Sequence, residues 1–255
     1  MRYLLSVPPF TDPRVVVDLA VLAEESGWDG FFLWDHLRWD DKQEVHDPWV
    51  LLGAIAARTS RLVLGTLVTP LSRRRPWVVA KHLVTLDHLA PGRVVLGVGL
   101  GDPPDLDFSD LGDEGDHRTR AAILDEALEV VAGLVAGERV DHDGEHHRVH
   151  AAMRPAASRV PIWVAGRTPN KRPLERARRW DGYAPIGDGL DPASLVELVG
   201  PPPRPGWDLV VPWEDDAPAL DYEAAGVTWL VKSVWPTDEG WVEELHDLAG
   251  RDPRT

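Results

Sequence analysis

The stretch Gly30-Phe31-Phe32-Leu33-Trp34-Asp35-His36-Leu37 decides how this chain is read. Its first five residues form an apolar run with no polar alternation. Such a run fits a strand buried on both faces, as in a parallel sheet. It ends on an acid and an imidazole, where a Gly or Asn turn would be the plain choice. In α/β proteins the chemistry gathers at the C-terminal ends of parallel strands. The meaning of Asp35-His36 therefore depends on whether the rest of the chain builds such a sheet.

Working outward, short apolar runs alternate with helical patterns. Strands are expected at Tyr3–Val7, Gly30–Trp34, Leu62–Val68, Arg93–Val98, Ile162–Ala165, Gly182–Ile186, Asp208–Val211 and Val227–Lys232. Asp12-Pro13 and Asp47-Pro48 each read as an N-cap followed by Pro at the first helical position. Further helices are expected near Pro76–His88, Arg118–Ala136, Arg172–Trp180, Ala193–Val199, Ala219–Ala225 and Trp241–Ala249. Eight strand–helix units fit an α/β protein of the (β/α)8 or TIM barrel class, with a doubly wound sheet as the alternative. Between the fourth and fifth strands, GERVDHDGEHHRVH reads as an inserted β-hairpin around Asp143-Gly144, a type I′ turn signal. Residues 1–255 are expected to form a single domain.

Composition bounds the function. The chain has 44% hydrophobic and 27% charged residues and a net charge of −15, which leaves no broad basic face for nucleic acid. It has no cysteine, so thiolate chemistry and Cys-ligated metal sites are excluded. No window approaches the apolar length of a membrane span, and a cytoplasmic location is the default expectation.

On a barrel, the strand ends select the candidate site. They pick Asp35 and His36; Thr66 and Thr69; Gly99, Gly101 and Asp102; and Gly166-Arg167-Thr168. Each has a plainer reading: a turn cap, a strand hydroxyl bonded to its own backbone, or a glycine needed for close packing. AGRTPNKRP, residues 165–173, is a basic Gly-containing turn that leads into a helix and suits a phosphate. Arg73-Arg74-Arg75 is either a solvated face or an attractor for an anionic cofactor or substrate. His142, His146, His147 and His150 cluster on the hairpin without metal-ligand spacing, so no metal site is expected. Trp163 and Trp229 fall within strands and read as core, whereas Trp39 and Trp49 flank the loop after strand two and can wall a pocket for a flat ring.

Three blocks, LAEESGWDGFFLWDHL, LGTLVTPLSRRRPWVVAKHLVTLDHLAPGRVVLGVGLG and VPIWVAGRTPNKRPLERARRWDGYAPIG, resemble the luciferase-like monooxygenase family of flavin and deazaflavin enzymes. The resemblance implies a (β/α)8 barrel holding a flavin-type ring at the strand ends. It implies a phosphate at Gly166, Arg167 and Thr168, and a non-proline cis bond near Leu67-Val68 behind the ring. Gly99 and Gly101, with Thr66 and Thr69, would complete the cofactor contacts. The Asp-His pair is similar to that of members using coenzyme F420, which is favoured over FMN used with oxygen. His36 would then move a proton, Asp35 would orient it or bond the cofactor, and Asp102 would be a second acid. The partner is expected to be a small-molecule substrate. The chain is short for the family after strand six, so a pocket completed by a homodimer partner is one expectation. A cofactor-binding protein without catalysis and a metal-dependent barrel enzyme are the readings from other classes.

Overall fold

Aspartate followed by proline starts three helices in the same way. Asp12, Asp47 and Asp191 accept hydrogen bonds from backbone N–H groups of the first turn, and Pro13, Pro48 and Pro192 occupy the first helical positions. These begin α1 (Pro13–Glu25), α2 (Pro48–Arg58) and α6 (Pro192–Val199). The computed structural model describes residues 1–40, 43–213, 217–236 and 239–255.

Eight strands close into a parallel barrel: β1 (Arg2–Val7), β2 (Gly30–Leu33), β3 (Val63–Pro70), β4 (Val94–Gly99), β7 (Ile162–Arg167), β8 (Gly182–Ile186), β9 (Asp208–Pro212) and β10 (Trp229–Ser233). β10 pairs with β1, so the ring is closed and the doubly wound alternative falls. The remaining helices are α3 (Pro76–Leu89), α4 (His117–Val135), α5 (Lys171–Ala177), α7 (Ala219–Ala224) and α8 (Trp241–Ala249). Among the described residues no helix is long and apolar enough to cross a membrane.

Apolar residues on the two faces of the strands build two cores. The larger one lies between strands and helices, and a second, smaller one fills the barrel. Inside, Phe32 and Trp163 stack with ring centroids 5.2 Å apart, and Trp229 meets Trp163 edge-on at 5.4 Å. Trp163 and Trp229 are thus core, as their strand positions suggest. Rings this large need glycine opposite them. A Cβ on Gly65 would lie 2.2 Å from the Val95 carbonyl and 3.0 Å from the Phe32 ring.

The inserted hairpin is β5 (Val140–Asp143) against β6 (Arg148–Ala151), beside α4. It does not turn at Asp143-Gly144. A type I′ turn needs positive φ at both residues, and among the described residues no non-glycine has positive φ. The last pair is Asp143 with Arg148, and residues 144–147 form a wider loop. Glu126 of α4 organises that loop, accepting from the backbone N–H groups of Glu145 (3.0 Å), His146 (3.1 Å) and His147 (3.0 Å). A Cβ on Gly144 would lie 2.1 Å from a Glu126 oxygen, so the carboxylate is what demands glycine there. Burial disfavours the Glu126 charge, but these bonds and the His142 ring outweigh it and hold its pKa at about 2.

Two glycines should respond oppositely to alanine. Gly65→Ala drives a methyl into the barrel wall and is expected to cost about 3 kcal/mol. Gly53 lies within α2 with open space around its Cβ position, so Gly53→Ala is expected to stabilise by roughly 0.5–1 kcal/mol. Urea unfolding midpoints check both signs.

Candidate active site

Strand β2 delivers Asp35 and His36 to the C-terminal rim of the barrel, but it sends them to different places. Asp35 is buried and faces inward. Its Oδ1 accepts from Arg73 (3.0 Å) and Arg74 (2.6 Å), and its Oδ2 accepts from the Thr69 hydroxyl (2.9 Å) and the Trp49 indole (3.3 Å). Arg73 also donates to the Asp35 main-chain carbonyl. Four donors fill the acceptor capacity of one carboxylate. Asp35 therefore has no lone pair left for a cofactor and does not touch the His36 ring. Its expected roles, orienting His36 or bonding the cofactor, do not fit this geometry.

The acid beside His36 is Asp107. His36 Nδ1 lies 2.8 Å from Asp107 Oδ2, which also accepts from Arg73 at 3.1 Å. Asp107 Oδ1 accepts from the backbone N–H groups of Leu37 (2.9 Å) and Arg38 (3.0 Å). Burial alone would raise the Asp107 pKa, but the His36 bond, the Arg73 charge and the Arg38 N–H reverse this and hold it below the usual carboxylate value. Arg73 joins the two acids. Its side chain is 1% exposed, and both carboxylates are fully buried. Arg73 and Arg74 of the run after strand three thus form neither a solvated face nor an open anion site, whereas Arg75 stays exposed. Arg73 and Arg74 are neutralised inside, and Arg75 lies over the Trp77 ring at 5.7 Å.

His36 remains partly exposed among aromatic rings. Trp39 stands edge-on to it at 4.9 Å, and Trp34 and Phe10 lie 6.1 Å away. Trp235, 61% exposed, rests on Trp34 at 5.1 Å. Among the described residues His36 Nε2 has no hydrogen-bond partner. Trp39 stands beside His36, with Phe10, Trp34 and Trp235 around it. Trp49 is not a pocket wall: it is buried, stacked on His82 and bonded to Asp35.

Strand β3 carries a bulge between Thr66 and Thr69, and the Leu67-Val68 peptide within it is cis, where the family resemblance puts such a bond. Thr66 and Thr69 are buried with their hydroxyls 2.9 Å apart; Thr66 Oγ1 also lies 3.2 Å from the Gly97 carbonyl oxygen. They pin the bulge, while Leu67 and Val68 stay half-buried against the barrel interior. At β4 a Cβ on Gly99 would meet Val68 at 2.8 Å, and Gly101, at φ +78°, packs on Phe108 and Pro70. Asp102 is exposed and pairs with Arg167 at 2.8 Å, away from the His36 network, so the acid expected beside the imidazole is Asp107 and not Asp102. At β7, Gly166 packs against Pro173, and Thr168 donates its N–H to the Ile186 carbonyl at 2.9 Å. Among the described residues no group of three His, Asp or Glu side chains could hold a metal ion. His150 instead pairs with Asp141 and Asp143.

The family model for luciferase-like monooxygenases matches residues 4–199. This chain belongs to the luciferase-like monooxygenase family. Among its relatives is an F420-dependent glucose-6-phosphate dehydrogenase of Nakamurella multipartita, 38% identical over 76% of this chain and 58% of the relative. Another of the same name, from Microbacterium testaceum, is 37% identical over 82% of this chain and 62% of its own. The chain spans about three fifths of the length of these curated relatives. The same fold occurs in an F420-dependent secondary alcohol dehydrogenase solved with an F420–acetone adduct (TM-score 0.77, 16% identity, 99% of this chain and 100% of that one). It also occurs in a coenzyme F420-dependent tetrahydromethanopterin reductase of Methanopyrus kandleri (TM-score 0.74, 16% identity, 97% of both chains).

In this luciferase-like chain, reading the sequence missed Asp107 and the inward course of Arg73. One signal was available. Asp102, Asp105, Asp107 and Asp110 follow strand four, and Arg73-Arg74-Arg75 follow its neighbour, strand three. Opposite charge in the loops after adjacent barrel strands foretells an ion pair.

Asp107→Asn leaves the buried Arg73 with Asp35 as its one carboxylate, already shared with Arg74, and is expected to cost about 3 kcal/mol at pH 7. The folded pKa of Asp107 lies below its unfolded value of about 3.9, so its charge stabilises the fold above that pH. The gap between wild type and Asp107→Asn should therefore be constant at neutral pH and narrow as pH falls below about 4. Denaturant unfolding at pH 7 and at pH 3 measures it.

Proposed function

We propose that this chain is an oxidoreductase that passes a hydride between coenzyme F420 and a small organic substrate, while His36 moves the accompanying proton. The observation that carries this reading is the His36–Asp107 bond. Asp107 is held ionised, and an ionised carboxylate only accepts hydrogen bonds. Nδ1 of His36 must therefore bear the hydrogen, and the neutral ring keeps its lone pair on Nε2. That nitrogen has no partner among the described residues. It takes the hydroxyl proton of an alcohol as the carbonyl forms. In reverse, the protonated ring returns it to the developing alkoxide. An imidazole suits both directions near neutral pH. Asp107 stabilises the ring once charged, and Arg73 keeps Asp107 from taking the proton itself.

The residues at the rim fit a flat, anionic cofactor. Leu67 and Val68 offer an apolar floor on the bulge, where buried strand residues give way to half-exposed ones. Ala165 and Ala184 keep the interior of β7 and β8 small beside them. At the other end, the Arg167 side chain is tied, among the described residues, by an exposed pair with Asp102. Such pairs contribute under about 1 kcal/mol. Arg167 is free to exchange that carboxylate for a phosphate, beside the Gly166 and Thr168 backbone. When bound, the deazaflavin supplies the ring carbon that accepts or donates the hydride. The chain's similarity to F420-dependent relatives supports F420 over FMN.

Titration of the purified protein with coenzyme F420 and with FMN, side by side, tests the cofactor. Tight binding of the deazaflavin alone is expected; tight binding of FMN alone would turn the reading to an oxygen-using flavin monooxygenase. His36→Ala is expected to lower kcat by about 10²–10⁴-fold with the Kd for the deazaflavin little changed. Undiminished turnover in that variant would remove His36 from the mechanism. A wild-type protein that binds but turns over nothing across alcohols and ketones would be a cofactor-binding protein.

A further inference from the structure

The segment that supplies Asp107 belongs to no barrel strand and no α-helix. Residues 100–113 fold back on themselves instead: Ser109 N–H donates to the Pro104 carbonyl at 3.1 Å, and Asp113 N–H donates to the Phe108 carbonyl at 3.0 Å. Bonds of this kind shape a loop without fixing it to the barrel. Asp107 itself ties the segment to β2 and Arg73. A second tie comes from the opposite side, from Arg120 in the first turns of α4.

Arg120 is fully buried. Its Nη1 donates to the carbonyl oxygens of Leu100 (2.8 Å) and Gly101 (3.2 Å), where β4 gives way to the segment. Its guanidinium lies 4.2 Å from the centroid of the Phe108 ring, next to Asp107 in sequence. The Arg73 guanidinium approaches the same ring at 5.4 Å. One side chain thus grips both the start and the middle of the segment. Gly101 lets the chain bend into that grip: its φ is +78°, and a Cβ there would lie 2.8 Å from Phe108.

The grip is expensive. Among the described residues Arg120 makes no ion pair, and its buried Nε and Nη2 have no hydrogen-bond partner there. A buried cation with unmet donors is among the costlier groups a protein can hold. A helix needing only packing at this position would be served by Met or Leu.

We propose that Arg120 is a positioning residue: it clamps the segment bearing Asp107 and thereby keeps the hydrogen of His36 on Nδ1. The proposal rests on the reading of His36 as the proton-moving group, and it is tested without cofactor or substrate. Nitrogen NMR of the full chain with ¹⁵N-labelled histidine, the His36 signals assigned by His36→Gln, reports which ring nitrogen carries the hydrogen. Wild type should show the Nδ1–H tautomer. Arg120→Met should lose that single-tautomer signature and give a mixture, the result also expected of Asp107→Ala. Arg120→Lys, which keeps a donor for the two carbonyls, should restore the wild-type pattern. Should Arg120→Met not fold, Phe108→Leu is read in the same way. A folded Arg120→Met or Phe108→Leu protein that melts lower yet keeps the pure Nδ1–H tautomer would show that Arg120 only packs, and the proposal would be overturned. Failure to bind the deazaflavin, with the tautomer changed as expected, would count against the functional reading alone.

Discussion

A carboxylate taken out of water is tolerated only when charge and hydrogen bonds replace what the solvent gave it. Two such carboxylates lie beneath the rim of this barrel, and Arg73 satisfies part of each. Arg74 completes Asp35, and His36 completes Asp107. Every acceptor position of both acids is used within the protein. The positions of the imidazole, the bulge and the turn after β3 follow from that closed account. Thr69 ties the bulge to Asp35, Arg73 ties the turn to both acids, and Asp107 sets the imidazole. The site is a single electrostatic unit spanning the ends of three neighbouring strands.

The barrel was legible because its signals are local. Asp-Pro helix starts, continuous apolar strands and the residues between them repeat with little disturbance, and strand and helix positions agree to within a few residues. The contents of the interior were partly legible too. Trp163 and Trp229 sit in strands, and the glycines opposite them are what ring-filled space requires. The hairpin was found at its place, but its turn was misread. The Asp-Gly pair suggested a tight turn from local propensity, whereas Glu126, some twenty residues away, folds the loop around its carboxylate.

The site was legible only as a location. Strand ends named His36 and the Gly166–Thr168 loop from position, and the family resemblance, not position, put the cis bond at Leu67-Val68. Which acid serves the imidazole was not available from position, because Asp35 and His36 are adjacent in sequence and point apart. Beyond the end of β2 at Leu33, Asp35 turns to Arg73, Arg74, Thr69 and Trp49 while His36 turns to Asp107. Asp107 comes from a segment without periodicity, and its assignment depends on a contact across 71 positions. Side chains that meet in this way leave no trace in any window of sequence.

The exposed Trp235 and the half-exposed Trp39 have a different standing from the layer below them. They contact the imidazole or its neighbours through ring edges and take no part in the salt-bridged unit. In evolutionary terms this separates two rates of change. Replacements among the rim aromatics leave the salt-bridged layer intact. A replacement at Asp35, Arg73 or Asp107 disturbs several partners at once and demands compensation elsewhere. A lineage built on this frame can vary its rim quickly while its buried ionic layer changes slowly.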